Sequence, residues 1–249
     1  MTPSPLLAGV VAACLRAGAE VERHRRLGFE VVTKGDESPV TAADHAAEAV
    51  LLDALGALDP DTPVVAEEEC AAGRTPAVGR RFWLVDPLDG TRDFVRGGHD
   101  YTVNAGLVVD GAPVLGVVYA PALGRLFWGA AGEGAWLAQG RDTPGAVGPA
   151  RAIRVRPPGE RLTVTATKSH GSSALERYVA ALPVGERLHT GSSLKFALLA
   201  AGDAVLRAAG GMTYGPDGAP FAYGKPGFRN GAFVATGGFA PPPIGTFGP

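Results

Sequence analysis

The stretch Trp83-Leu84-Val85-Asp86-Pro87-Leu88-Asp89-Gly90-Thr91 constrains this chain more than any other. It sets two carboxylates three residues apart at the end of an apolar run, where a strand gives way to a turn. Phe82 to Val85 reads as a short buried strand, and Pro87 is expected to end it. The turn that follows leaves the Leu88 carbonyl free as a third oxygen donor. Hard oxygen donors of this kind suit Mg²⁺, which keeps several of its waters. Gly90 lets a ligand approach the backbone, and the amides of Gly90 and Thr91 stand where residues 91–95 open a helix, a place suited to phosphate oxygens.

Upstream, Val64-Val65-Ala66-Glu67-Glu68-Glu69 repeats the arrangement of a short β-branched strand ending in acids. Acids at the ends of neighbouring strands converge, and Glu67, Asp86 and Asp89 around one point repel one another until a cation neutralises them. Divalent metal is therefore a better expectation for the three than a general acid and base. Simpler readings exist for each part alone: a run of three Glu is commonly a solvated surface, and D-x-x-D is common in turns where Asp caps amides. The complete string with Pro, Gly and Thr in place goes beyond a turn.

These residues resemble the inositol monophosphatase superfamily, and within it the CysQ-type 3'(2'),5'-bisphosphate nucleotidases. Four segments carry the likeness in order: Ser38-Pro39-Val40-Thr41-Ala42-Ala43-Asp44, Pro63 to Glu68, Trp83 to Phe94, and Gly191-Ser192-Ser193-Leu194-Lys195-Phe196. A fifth, Tyr223-Gly224-Lys225-Pro226-Gly227-Phe228-Arg229-Asn230, is similar to the nucleotidase branch. The resemblance implies one Mg²⁺ on Glu67, Asp86 and the Leu88 carbonyl, and a second shared by Asp86 and Asp89. It implies that Thr91 and Glu67 orient the attacking water, and that Asp44 aligns the Thr91 hydroxyl. From the residues alone, Asp44 reads equally well as a helix cap. Gly191, Ser192 and Ser193 are expected near the leaving group, with Lys195 and Lys168 as candidates for a second anionic group. Lys195 also fits a plain helix-surface lysine.

The family pattern breaks at one place. Relatives carry a Trp-Asp pair before Ala-Ala-Gly, and that aspartate is the third carboxylate of the second metal site. Here Phe196-Ala197-Leu198-Leu199 runs directly into Ala200-Ala201-Gly202, which puts Leu198 at the ligand position. Asp203 lies five residues further, about 140° around a helix from position 198, and is expected to point away. Asp217 sits in a Gly-Pro-Asp-Gly turn. The first metal site is expected intact and the second weakened.

The remaining features set the frame. With 249 residues and 46% hydrophobic content, the chain can bury a substantial core, and a net charge of -2 gives no footprint for a nucleic-acid polymer. Cys14 and Cys70 lack metal-ligand spacing, and the apolar run 6–15 leads into charge. A cytoplasmic protein without a membrane span is expected, as monomer or homodimer. Helices are expected over 5–26 and 42–58, then strands at 63–66, 82–86, 101–109, 113–120, 125–130 and 134–138. After a connecting loop at 139–150, strands are expected at 153–156, 162–167 and 186–189, with helices at 172–182 and from Ser192 to Ala209, stopped by Gly210-Gly211. The chain thus divides into an N-terminal lobe over 1–138 with the metal loop, a substrate lobe over 151–236, and a disordered tail from 237. The expected class is mixed α/β, which the resemblance sharpens to a layered α-β-α-β-α sandwich with a shortened second sheet.

The function expected is Mg²⁺-dependent removal of the 3'-phosphate of adenosine 3',5'-bisphosphate. Inositol 1-phosphate and fructose 1,6-bisphosphate are the neighbouring substrates. A phosphate-ester and metal binder without turnover is the reading of another class, motivated by the absent aspartate.

Overall fold

The computed structural model describes residues 3–29, 31–33, 39–140, 147–167, 173–190, 200–225, 228 and 233–244. Helix α1 (Pro5–Leu27) starts at Ser4, whose hydroxyl accepts the Leu7 amide, with Pro5 at the first helical position, where its missing N–H costs nothing. Leu7, Val10, Cys14, Ala17 and Val21 recur at helical spacing and are buried. A short hairpin of β1 (Val31–Thr33) and β2 (Pro39–Thr41) leads into α2 (Ala42–Leu58). Thr41 and Asp44 form a capping box at its start.

One seven-stranded sheet forms the centre, in the order β3 (Val64–Ala66), β4 (Arg81–Asp89), β5 (Thr102–Val109), β6 (Ala112–Ala120), β7 (Arg125–Ala130), β8 (Gly134–Gln139) and β9 (Arg151–Ile153). The β3–β4 pair is parallel and the remaining pairs are antiparallel. The meander follows the expected strands closely. Asp110 and Gly111 both take positive φ at the β5–β6 turn, as a two-residue hairpin of this hand requires.

Pro87 does not end its strand. β4 continues to Asp89 through a register shift: Asp86 pairs with Asn104 and Asp89 with Thr102, so β4 carries one residue more than its partner. Within such a bulge the missing proline N–H breaks no ladder bond, which is why the strand tolerates it.

The alternation of side chains separates two packed faces. Trp83, Val85, Val103, Ala105, Leu115, Val117 and Tyr119 join α1 and α2 in the main core. Val65, Phe82, Leu84 and Val108 face the other way, against Phe221 and Tyr223. That second face also carries a helix. A Cβ at Gly116 would overlap the Ala201 backbone, and one at Gly129 would lie 2.9 Å from the Ala208 Cβ.

The rest of the chain supplies β10 (Leu162–Thr167), α5 (Ser173–Ala180), β11 (Val184–Thr190), α6 (Ala200–Ala208), β12 (Met212–Tyr214) and β13 (Val234–Thr236). Short helices α3 (Glu67–Ala71) and α4 (Thr91–Val95) follow β3 and β4. β10 and β11 pair in parallel, and β12 and β13 pair antiparallel, so with the β1–β2 hairpin three two-stranded sheets accompany the central one among the described residues. The architecture is mixed α/β with helices on a central mixed sheet, as expected. The helix expected from Ser192 is described from Ala200; residues 191–199 lie outside the described residues. It ends as expected: the Gly210 and Gly211 amides donate to the Arg207 and Leu206 carbonyls, with Gly210 at positive φ. Part of the segment expected as a disordered tail is in contact with the body, since the Tyr178 hydroxyl donates to the Pro242 carbonyl at 3.0 Å.

Candidate metal and phosphate site

The parallel pairing of β3 with β4 aligns Ala66 with Val85, so the next residue of each strand, Glu67 and Asp86, emerges at the same end of the sheet. Asp89 returns to that end after the bulge. Burial pushes the Asp86 carboxyl well above the usual aspartate range, and the charges of Glu67 and Asp89 and a hydrogen bond with Glu67 push it further. The Leu88 amide donates to Asp86 Oδ1 at 3.1 Å and partly offsets this. Among the described residues, no group of three or more His, Cys, Asp or Glu side chains stands preassembled as a metal cluster. The acids meet pairwise around Asp86.

The next turn is fixed by backbone shape. Gly90 takes φ 97°, a left-handed conformation that a side chain would strain, and its carbonyl accepts the Asp93 and Phe94 amides to start α4. Thr91 is the first residue of that helix. Its hydroxyl lies 3.0 Å from the Leu88 carbonyl and 3.2 Å from Asp44 Oδ1. Asp44 Oδ2 accepts the Thr41 amide at 2.8 Å and the Thr41 hydroxyl at 2.7 Å. Asp44 is therefore both things the sequence left open: a cap through one oxygen and a partner of Thr91 through the other. Burial raises its carboxyl above the ordinary value, against the lowering effect of these hydrogen bonds.

The donor set fits a hard cation. Burial raises Asp86, the charges of Glu67 and Asp89 raise it further, and that repulsion is what a divalent ion relieves. Glu67, Asp86, Leu88, Asp89, Gly90, Thr91 and Asp44 all belong to one neighbourhood of β3, β4, α2 and the turns after them. Lys168, Gly191, Ser192, Ser193 and Lys195 lie outside the described residues, as does Leu198.

Asp203 is occupied elsewhere. It is buried, with both oxygens 3.1 Å from Arg207 Nε and Oδ1 2.8 Å from the Thr213 hydroxyl. Arg207 also donates to the Phe221 carbonyl, so this pair ties α6 to β12 and to the segment ending in Tyr223-Gly224-Lys225. In that segment the Lys225 ammonium lies 3.9 Å from the centre of the Phe221 ring. Asp217 Oδ1 accepts the Ala219 amide at 3.0 Å, the turn role its neighbours suggested.

Sequence reasoning missed Glu48. It is buried on α2, four residues after Asp44, and both its oxygens accept amides of α3. Its only signal was its place on the face shared with Asp44, Leu51 and Leu55.

Adjacent strands thus deliver acids to one end of the sheet, beside a threonine hydroxyl and a glycine turn, and oxygen donors of this kind suit a hard divalent cation. Residues 2–240 match the inositol monophosphatase family. The chain is 41% identical over 178 residues to the 3'(2'),5'-bisphosphate nucleotidase CysQ of Escherichia coli strain K12, covering 72% of this chain and 69% of that protein. In structure it resembles CysQ from Bacteroides thetaiotaomicron, a bacterial member of the inositol monophosphatase family, with TM-score 0.73 and 25% identity over 92% of this chain and 96% of that one. It also resembles the inositol monophosphatase of Anabaena (Nostoc) sp. PCC 7120, with TM-score 0.68 and 25% identity over 93% and 89% of the two chains. The chain belongs to the inositol monophosphatase family, a family of metal-dependent phosphatases acting on small phosphorylated substrates. No helix among the described residues is long and apolar enough to cross a membrane.

Proposed function

We propose that the chain hydrolyses the 3'-phosphate of adenosine 3',5'-bisphosphate, releasing phosphate and AMP. The observation that carries this is the Thr91 hydroxyl held between Asp44 and the Leu88 carbonyl, next to Asp86 and its two acidic neighbours. The 41% identity to a 3'(2'),5'-bisphosphate nucleotidase, together with Tyr223-Gly224-Lys225, favours this substrate over other phosphate esters.

Glu67, Asp86 and the Leu88 carbonyl would hold one Mg²⁺, and Asp86 and Asp89 a second. Bound there, Mg²⁺ supplies a water of lowered pKa and neutralises charge on the phosphoryl group and the leaving oxygen. Glu67 and Thr91 orient the water along the line opposite the 3'-oxygen. Thr91 directs its proton towards Asp44 or Leu88, which leaves its oxygen lone pairs free to accept from that water. The Gly90 and Thr91 amides, at the start of α4, face phosphate oxygens. Attack of the water oxygen on phosphorus breaks the bond to the 3'-oxygen; the proton that the water gives up balances the one the 3'-oxygen takes as it leaves, and no phosphoenzyme forms. By the resemblance, Lys195 and Lys168 would serve a second phosphate, and Gly191, Ser192 and Ser193 the leaving group.

The engagement of Asp203 and Asp217 in other bonds, with leucine at position 198, favours one alternative: a protein that binds phosphate esters and one metal without turnover. Phosphate release from adenosine 3',5'-bisphosphate, inositol 1-phosphate and fructose 1,6-bisphosphate, each across a range of Mg²⁺ and with Asp89→Ala as control, separates the readings. Turnover of the nucleotide in preference to the other two, lost in Asp89→Ala, is expected. A folded chain that releases no phosphate at any Mg²⁺ concentration would favour the binder.

A further inference from the structure

Glu48 stands one helical turn beyond Asp44 on the inner face of α2 and is only 4% exposed. A carboxylate at that depth is costly unless both oxygens are satisfied. Here Oε2 accepts the Glu68 amide at 2.8 Å and Oε1 accepts the Glu69 amide at 3.1 Å. These amides belong to the first turn of α3, and the residue before that helix, Ala66, makes no side-chain cap. Glu48 supplies the missing cap from another element. The peptide whose N–H it grips joins Glu67 to Glu68, so the grip reaches the backbone of Glu67 directly.

One face of α2 thus braces both halves of the site. Asp44 holds the Thr91 hydroxyl, and Glu48 holds the turn that presents Glu67 to Asp86. We propose that Glu48 is a positioning residue for metal binding. It fixes the start of α3 so that the Glu67 carboxylate stands against Asp86, and it thereby sets the Mg²⁺ concentration the site needs, without touching metal or substrate. The inference rests on Glu67 being a metal ligand, as read above. A cap that served stability alone would leave metal affinity unchanged.

The test is Glu48→Gln, in which one of the two amides faces an NH₂ instead of an oxygen. Mn²⁺ affinity is measured by calorimetry, the Mg²⁺ midpoint by phosphate release, and folding by thermal melting. Asp59→Asn is the control, because Asp59 ends the same helix and bonds Arg81 and Trp83 away from α3. Supporting-shell losses of this kind weaken metal binding about 10- to 100-fold. The expected result is a shift of that size in Mn²⁺ affinity and Mg²⁺ midpoint for Glu48→Gln, with the rate recovered at saturating Mg²⁺, and no shift for Asp59→Asn. If Glu48→Gln fails to fold, the same titrations on Glu48→Asp, whose carboxylate falls short of the amides, decide the matter.

A folded variant that binds metal as the natural chain does would overturn the proposal while leaving the phosphatase reading intact. A natural chain that binds Mn²⁺ but releases no phosphate would overturn the substrate reading, and weaker Mn²⁺ binding by the variant would still support Glu48. A natural chain that binds neither metal would overturn both.

Discussion

Replacing Asp44 with asparagine separates its two roles, because an amide has one acceptor where the carboxylate has two. Oδ2 serves two donors of Thr41 at 2.8 and 2.7 Å, and Oδ1 serves one, the Thr91 hydroxyl, at 3.2 Å. In Asp44→Asn the amide oxygen satisfies more donors when it faces the cap, and that orientation turns the NH₂ towards Thr91. The cap survives, and the buried carboxylate, already raised by desolvation, is no longer there to be ionised. Stability should change by no more than about 1 kcal/mol, or about 2–4 °C in melting temperature for a chain of this size. The Thr91 hydroxyl is affected more. It must now accept from the amide and can send its proton only to the Leu88 carbonyl at 3.0 Å, which consumes a lone pair meant for the attacking water. Loss of such a supporting bond costs about 10- to 100-fold in activity, or about 1.4–2.7 kcal/mol of barrier. Thr41→Val is the companion: it removes the hydroxyl that bonds Asp44 and accepts the Ala43 amide, costing about 1 kcal/mol of stability while the Thr91 contact remains. Phosphate release at saturating Mg²⁺ and thermal melting of both variants suffice. Asp44→Asn that melts like the natural chain and keeps its rate within about twofold would refute the assignment and leave Asp44 a cap.

Three other outcomes follow from the packing and charge described. The raised Asp86 means that the metal-free fold keeps a proton that the unfolded chain releases near the ordinary aspartate value, so stability from this group falls as pH rises through its raised pKa. Mg²⁺ competes with that proton, so the gain in melting temperature on adding Mg²⁺ over chelator should grow as pH rises above the ordinary aspartate range; an equal gain at every pH would contradict the coupling. Gly116→Ala would drive a methyl into the Ala201 backbone and should cost about 1–3 kcal/mol by thermal or urea unfolding, whereas an unchanged midpoint would mean α6 does not lie on β6. Asp203→Asn breaks a bond to Arg207, which is itself 21% exposed, so about 2–3 kcal/mol of stability should be lost; the Mg²⁺ midpoint should not move, and a tenfold rise would show that Asp203 serves the metal after all.

What the sequence made legible was local. The β4 acids, Gly90 and Thr91 follow one another in the chain, and the apolar run before them and the helix start after them fell in the right places. Asp44 was legible because a capping box is also local. Glu48 was not, since its partners lie twenty and twenty-one residues further on, and a Glu in an alanine-rich helix has the composition of a solvated face. Pro87 misled because the rule against proline in strands holds for a regular ladder, and only the pairing with β5 reveals the extra residue that relaxes it. β1, β2, β12 and β13 have three residues each, too few for any period to show. Nothing in the sequence sets Gly116 and Gly129 apart, and their purpose becomes visible only with α6 across the sheet.

The acids gathered around Asp86 also stand at the beginnings of helices. Asp44 lies in the first turn of α2, Glu67 opens α3, and Asp89 immediately precedes the glycine that caps α4. Helix beginnings carry partial positive charge from their aligned peptide dipoles, and an acid there gains about 0.3–1 kcal/mol. Three such ends gathered at one edge give this corner of the protein a built-in field that opposes the repulsion among its own carboxylates. The same field favours any anion that approaches this end of the sheet, so backbone dipoles as well as a cation can offset the charge of a cluster of acids.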